Sequence, residues 1–220
     1  MKLAKWSNFF KAAYCIVILI TFYFVVSSDW TIAGLFKTPE KIPETEINYG
    51  EITYTKYDKK NKKWIEEPVN KYYIYCIENV CDFYNFSIEE KAYAYATAKA
   101  ETNFDPDAIS HTQAIGWYQL KIFTACDRGN EIDPKISEEI KRDLKNKYRK
   151  YKTLKQVHLN AFLGIGHINW ILKNKEKFNI TDWTDLASKY SSKGRAEDIY
   201  LETLKKYYYK ITGRHIREVL

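Results

Sequence analysis

Ala100-Glu101-Thr102-Asn103-Phe104-Asp105-Pro106-Asp107-Ala108-Ile109-Ser110, followed by Gln113-Ala114-Ile115-Gly116-Trp117-Tyr118-Gln119-Leu120, is the stretch whose reading decides the rest of the chain. Ala92, Ala96 and Ala100 recur at helical spacing, and Pro106 disfavours helix in the residue before it. Glu101 is therefore expected near a helix end, its carboxylate facing a loop. Ser87-Ile88-Glu89-Glu90 has the order of a capping box and opens the same helix. Gly116 permits a close backbone approach in the second segment, and Gln119 brings an amide that both donates and accepts beside Trp117 and Tyr118.

Outward from this stretch the pattern is helical. Ile74, Ile77 and Cys81 recur at helical spacing between Lys71 and Phe83, and a turn is expected around Asn85. Downstream, helices are expected over Ser137 to about Tyr148, Lys155 to Lys175, Thr181 to Tyr190 and Ala196 to Ile211, with Gly213 as a stop signal. Glu51 to Tyr57 alternates with the period of a strand, and Asp58 to Lys63 reads as a turn before Trp64-Ile65, so a small hairpin is expected. A lone hairpin is marginal in water, which requires this one to pack on the helices or remain unformed.

The quoted stretch resembles the catalytic core of the lytic transglycosylases of the soluble type, in the goose-lysozyme-like superfamily. Their usual wording is Glu-Ser-x-Phe-x-Pro-x-Ala-x-Ser, then Gly-Ala-x-Gly-x-x-Gln. The order and spacing agree; the departures are Thr102 for Ser, Gln113 for Gly, and Trp117-Tyr118 where Leu-Met is frequent. Asn160-Ala161-Phe162-Leu163-Gly164 stands at the family's Asn-x-x-x-Gly, and Ala187 to Gly194 at its Ala-x-x-Tyr-Asn-x-Gly, with Ser191 in place of the Asn. The resemblance covers roughly Lys71 to Tyr208. It implies a mainly α, lysozyme-like domain that cleaves the MurNAc-GlcNAc β-1,4 bond of peptidoglycan and leaves 1,6-anhydromuramyl ends. Glu101 is then the catalytic acid and base, with Ser110, Gln119, Tyr190, Trp117 and Tyr118 binding substrate. Two other readings remain open: a muramidase that uses water, and a wall-binding or assembly protein that has lost turnover.

A carboxylic acid that must be protonated near neutrality needs surroundings that penalise its charge, and Phe104, Trp117 and Tyr118 are the expected source. Ordinary glycosidases use two carboxylates. The nearest candidates for a second, Asp105 and Asp107, flank Pro106, where Asp is a common turn residue. The resemblance removes the need for one, since in that family the substrate's N-acetyl group supports the developing cation and its C6 hydroxyl attacks. No cofactor or metal is expected. His111, His158, His167 and His215 form no ligand pattern and are expected as satisfied core or surface residues. Cys76 and Cys81 point apart if they share a helix, which leaves Cys126 as the partner for one of them if a disulfide forms.

With 220 residues and 45% hydrophobic content the chain suits one main domain. Lys2, Lys5 and Lys11 precede an apolar run from Ala12 to Val26, the pattern of a signal peptide or membrane anchor with an inside amino terminus. The expected organisation is a signal or anchor over 1–27, a tether with the hairpin over 28–70, and the lysozyme-like domain over 71–220. Export would place that domain in the bacterial periplasm, or on the inner membrane facing it. The expected partners are glycan strands, the membrane through the first segment and, by analogy, an envelope-spanning secretion or conjugation machine. The net charge of +7 is spread along the chain, a solvated basic surface rather than a reader of specific nucleic acid.

Overall fold

The computed structural model describes residues 52–146, 151–191, 196–216 and 220. The segment over 1–27 and the tether as far as Glu51 lie outside the described residues. Among the described residues two strands, β1 (Thr53–Asp58) and β2 (Lys63–Pro68), are followed by eight helices: α1 (Lys71–Phe83), α2 (Ile88–Thr102), α3 (Ile122–Ile132), α4 (Pro134–Lys145), α5 (Val157–Lys173), α6 (Lys175–Phe178), α7 (Trp183–Ser191) and α8 (Ala196–Thr212). The architecture is mainly helical with one small antiparallel sheet.

Helix α2 is the central element. The Ser87 hydroxyl accepts from Glu90 N at 3.2 Å and the Glu90 carboxylate accepts from Ser87 N at 2.6 Å, the two halves of the capping box. Every residue from Ala92 to Ala98 is buried, so the helix has no single apolar stripe. Four alanines among those residues let α1 and α8 approach closely, while Tyr93 and Tyr95 supply bulk. A buried charge pair ties α1 to α2. Lys91 Nζ lies 2.9 Å from Glu78 and 2.6 Å from Asp82, and the Tyr95 hydroxyl donates to Glu78 at 2.8 Å. Cys76, Cys81 and Cys126 are buried free thiols, so the disulfide weighed from spacing does not form.

The stop of α2 is earlier and more local than Pro106 alone would give. Asn103 and Phe104 both take positive φ, 56° and 62°, and their N–H groups close on Lys99 O and Ala98 O at 2.8 and 3.2 Å. Asn tolerates this left-handed geometry, and the rest of the structure holds the Asn103 side chain there. Its Oδ1 accepts from Thr55 N at 2.8 Å while its Nδ2 donates to Thr55 O. The same contact fastens the hairpin. Lys99 Nζ donates to Thr53 O and the Thr55 hydroxyl at 3.2 and 2.9 Å, Tyr207 donates to Thr53 O, and Lys210 Nζ meets Glu66 at 3.0 Å. The hairpin thus forms because it packs on α2 and α8, as the marginal stability of isolated hairpins requires.

Several elements differ from the sequence expectation. The sequence reading names no helix α3: Gly129 and Asn130 are poor helix formers inside it, Phe123 is 77% exposed, and its buried face is carried largely by the small residues Ala125, Cys126 and Gly129. Its Gly129 allows close packing on α4, since a Cβ there would lie 3.1 Å from Ile136 Cγ2. Helix α4 opens at Pro134 rather than Ser137, because Asp133 caps it by accepting from Lys135 N at 2.9 Å and proline favours the first helical position. The helix expected over Lys155 to Lys175 starts at Val157, and Asn174 divides its end from the short α6.

Candidate active site

A cleft of about 300 Å3 runs between the end of α2, the 108–121 loop, the start of α3, and α5 and α7. Glu101, Ser110, Gln119, His167, Lys189 and Tyr190 are among its lining residues, and Glu101 is the one carboxylate among them.

The loop opposite Glu101 is built by backbone pairing. Ile115 and Leu120 exchange N–H···O bonds at 3.1 Å, Ser110 N donates to Ala114 O at 2.9 Å, and Gly116 N donates to Ala108 O at 2.9 Å. Asn160 on α5 holds this loop from behind. Its Oδ1 accepts from Tyr118 N at 3.1 Å, and its Nδ2 donates to Ile115 O and Leu154 O at 3.0 Å each. Gly116 is required at this contact. Its φ is +72°, and a Cβ would lie 2.4 Å from Asn160 Nδ2. Gly164, one turn along from Asn160, gives the Tyr118 ring its space; a Cβ there would lie 2.3 Å from Cγ of that ring.

Two departures from the family wording are accounted for by the fold. Thr102 keeps the hydroxyl that serine would supply, and it donates to Ala98 O and Trp117 O at 3.3 and 3.2 Å, tying the end of α2 to the loop. Gln113 adopts φ +62° where glycine would be unstrained, and the Tyr151 hydroxyl donates to its Oε1 at 3.0 Å. The side chain of Ser191 lies outside the described residues.

The expected site residues fall into two groups. Ser110, Gln119 and Tyr190 line the cleft with Glu101. The Ser110 hydroxyl accepts from Ala114 N at 2.9 Å, Gln119 Nε2 donates to Gly116 O at 2.9 Å, and the Tyr190 hydroxyl donates to Tyr118 O at 2.9 Å. Each holds the loop and borders the cleft. Trp117 and Tyr118 do not present their rings to a substrate; both are fully buried. Trp117 packs edge-on against Tyr73 and Phe104, with ring centroids 4.6 and 6.5 Å away, and does not line the cleft. Tyr118 sends its hydroxyl into the core to donate to Ala94 O at 3.2 Å. Trp117 is thus a core residue, and Tyr118 borders the cleft with its ring packed into the core, so neither offers the open aromatic face expected of a subsite.

The surroundings of Glu101 also differ from expectation. Burial raises its pKa from 4.5 to about 7, opposed slightly by the Tyr200 hydroxyl, which donates to Oε1 at 3.3 Å. Burial, and after it the charge of Glu101, raises the pKa values of the Tyr93, Tyr190 and Tyr200 phenols. Tyr200 meets the carboxyl directly, and Tyr118 and Tyr190 line the cleft with it, while Phe104 and Trp117 do not. Tyr200 escaped the sequence reading, although Tyr200, Leu204, Tyr207 and Tyr208 recur at helical spacing and are all buried.

His167 is likewise a cleft residue rather than a satisfied core histidine. Burial, then Arg128 and Lys189, push its pKa down to about 4, so the ring is neutral. It stacks on Trp170 at 5.8 Å and tilts against Tyr190 at 5.5 Å, and its Nδ1 is buried with no hydrogen-bond partner among the described residues. Asp105 and Asp107 take the turn roles expected of them: Asp105 Oδ1 accepts from Asp107 N at 2.9 Å, and Asp107 pairs with Lys155 at 3.1 Å.

The arrangement is one partly buried acid, poised between protonation states near neutrality, facing a rigid polar loop. A search of curated proteins finds no match to the chain. A family model described as the transglycosylase SLT domain matches residues 85–192, the span from just before α2 to α7 that contains Glu101, the loop, Asn160 and Tyr190. Residues 85–192 of this chain thus match a transglycosylase SLT domain, consistent with a domain of the lytic-transglycosylase type.

Proposed function

We propose that the chain is an exported lytic transglycosylase that cleaves the MurNAc-GlcNAc β-1,4 bond of peptidoglycan with Glu101 as sole acid and base, forming 1,6-anhydromuramyl ends. The observation that carries this reading is Glu101 itself: a carboxyl raised to about 7, and the one acid among the described residues lining the cleft. At that pKa about half of the molecules hold the proton at neutral pH, the condition for a general acid.

Glu101 in its acid form gives its proton to the bridging oxygen as the glycosidic bond breaks. The N-acetyl oxygen of the substrate then supports the cationic carbon, and the carboxylate left on Glu101 takes the proton of the C6 hydroxyl as that oxygen closes the 1,6-anhydro ring. An attached hydroxyl outcompetes solvent through proximity, so one carboxyl suffices where hydrolases of the usual kind use two. Ser110, Gln119 and Tyr190 position the glycan by bordering the cleft. Through the apolar run over 12–26 the enzyme is exported to the periplasm or held on the inner membrane facing it, where an envelope-spanning secretion or conjugation machine would need local opening of the wall.

The test is mass spectrometry of fragments released from purified peptidoglycan by the full chain, beside Glu101→Gln. Anhydro-ended fragments from the unmutated chain alone are expected. Reducing ends would replace this proposal with a muramidase, and no fragments from a folded chain would replace it with a wall-binding protein.

A further inference from the structure

The hairpin lies outside the matched SLT span, and its outer end takes no part in the cleft. Tyr57 and Trp64 pair across β1 and β2 beside the turn. Their rings meet edge-on at 5.4 Å with 65° between planes, yet Trp64 is 69% and Tyr57 46% exposed. Strand alternation puts Thr53, Thr55 and Glu66 on the same face. Lys99 and Lys210 reach Thr55 and Glu66, so the aromatic pair is the outer, exposed end of the face on which the helices meet the hairpin.

Around the pair the charge is predominantly positive. Lys59, Lys60, Lys62 and Lys63 are all exposed, and none makes an ion pair among the described residues. The acids nearby are already engaged. Asp58 Oδ1 accepts from Lys60 N and Asn61 N at 2.9 and 3.3 Å, and Asp58 Oδ2 from Asn61 Nδ2 at 2.6 Å. Glu67 pairs with Lys56 at 2.6 Å, and Glu66 with Lys210 and Lys206 at 3.0 and 3.6 Å.

We infer that this hairpin tip is a docking surface for a bilayer rich in anionic phospholipid. Tyr and Trp combine an apolar ring with a polar edge, which suits the boundary between acyl chains and headgroups, and lysines on long flexible stems meet lipid phosphates without demanding one fixed geometry. A sugar ring is the poorer fit. Stacking on a saccharide needs an open ring face flanked by directional hydrogen-bonding groups, whereas this pair is edge-on and ringed by point charges. The hairpin is also the first described element after the apolar run, joined to it by 26 residues (Ser27 to Ile52). Docking would hold the SLT domain against the membrane surface.

The test uses the full chain with vesicles of phosphatidylcholine alone or mixed with phosphatidylglycerol, both carrying brominated acyl chains that quench tryptophan inside the bilayer. The difference between the unmutated chain and Trp64→Phe isolates Trp64, whatever the apolar run does. Quenching of that component is expected in the phosphatidylglycerol vesicles and weakly or not at all in phosphatidylcholine. It should be lost at about 1 M salt, where the screening length is about 3 Å, and lost in K59E/K60E/K62E/K63E. K60Q/K62Q, a milder change, should weaken it partially and guards against misfolding of the fourfold variant. The inference is overturned by a Trp64 component unquenched in both vesicles, by quenching that is equal in both and indifferent to charge, or by a Trp64 emission already blue-shifted without lipid, which would mean that another segment or a second copy covers it. Shielding of Trp64 by purified wall material, with no quenching by lipid, would assign the tip to the wall polymer instead.

Discussion

Glu101→Gln should make the folded chain more stable at alkaline pH while ending cleavage. Burial lifts the Glu101 carboxyl from 4.5 to about 7, so the folded chain holds this proton more tightly than the unfolded one. The stability that protonated Glu101 contributes is therefore fully present below about 4.5 and is lost as pH rises through about 7. At about 1.36 kcal/mol per pH unit, the interval corresponds to about 3 kcal/mol of strain from placing the charge in the cleft. Glutamine keeps the size of the side chain and an oxygen that accepts from Tyr200, but carries no charge at any pH. Urea unfolding of both chains should thus coincide near pH 4 and diverge by about 3 kcal/mol near pH 8, with the glutamine chain the more stable. A difference that is the same at both ends of the range would refute the reasoning, since it would mean that Glu101 ionises in the fold as it does in water. The same proton sets the pH profile of cleavage: the rate should fall as pH rises above about 7, because the acid form is then depleted.

Tyr200→Phe removes the hydroxyl that donates to the ionised carboxylate at 3.3 Å; the alkaline fall of the pH–rate profile should move to higher pH by a fraction of a unit, and a move to lower pH would contradict the assigned role. Asn160→Ala deletes three buried hydrogen bonds behind the loop, which should cost about 2–4 kcal/mol in denaturant unfolding and reduce cleavage further than stability alone explains, because Tyr118 N and Ile115 O lose their anchor. Lys91→Met leaves Glu78, held by Tyr95 alone, as a buried charge without its cation; a loss of about 3–5 kcal/mol is expected, read as a lower urea midpoint, with the pH profile of cleavage unchanged.

The local signals in the chain carried a good deal of this. Ser87 and Glu90 mark the start of α2 because a capping box satisfies two terminal N–H groups with residues three apart, a strictly local arrangement. The hairpin is legible from strand alternation before a polar turn, and Gly116 marks a backbone that must approach something. The failures have a different cause. Helix α3 has Gly129 in its interior because that glycine serves packing on α4, a neighbour that propensity cannot see. Trp117 and Tyr118 are aromatic residues in a loop, and composition alone permits either a sugar platform or a core layer; Tyr73, Phe104 and the space above Gly164 decide for the core.

What the sequence determined by itself was the carboxylate at a helix end, the loop that faces it and the family wording that joins them, because each rests on residues close together in the chain. What only the tertiary structure decided was the chemical state of that carboxylate. Its pKa depends on burial, and the cleft around it is closed by Tyr190 of α7 and Tyr200 of α8, the latter 99 positions from Glu101. Desolvation is a property of the whole enclosure, which exists only once distant helices have packed.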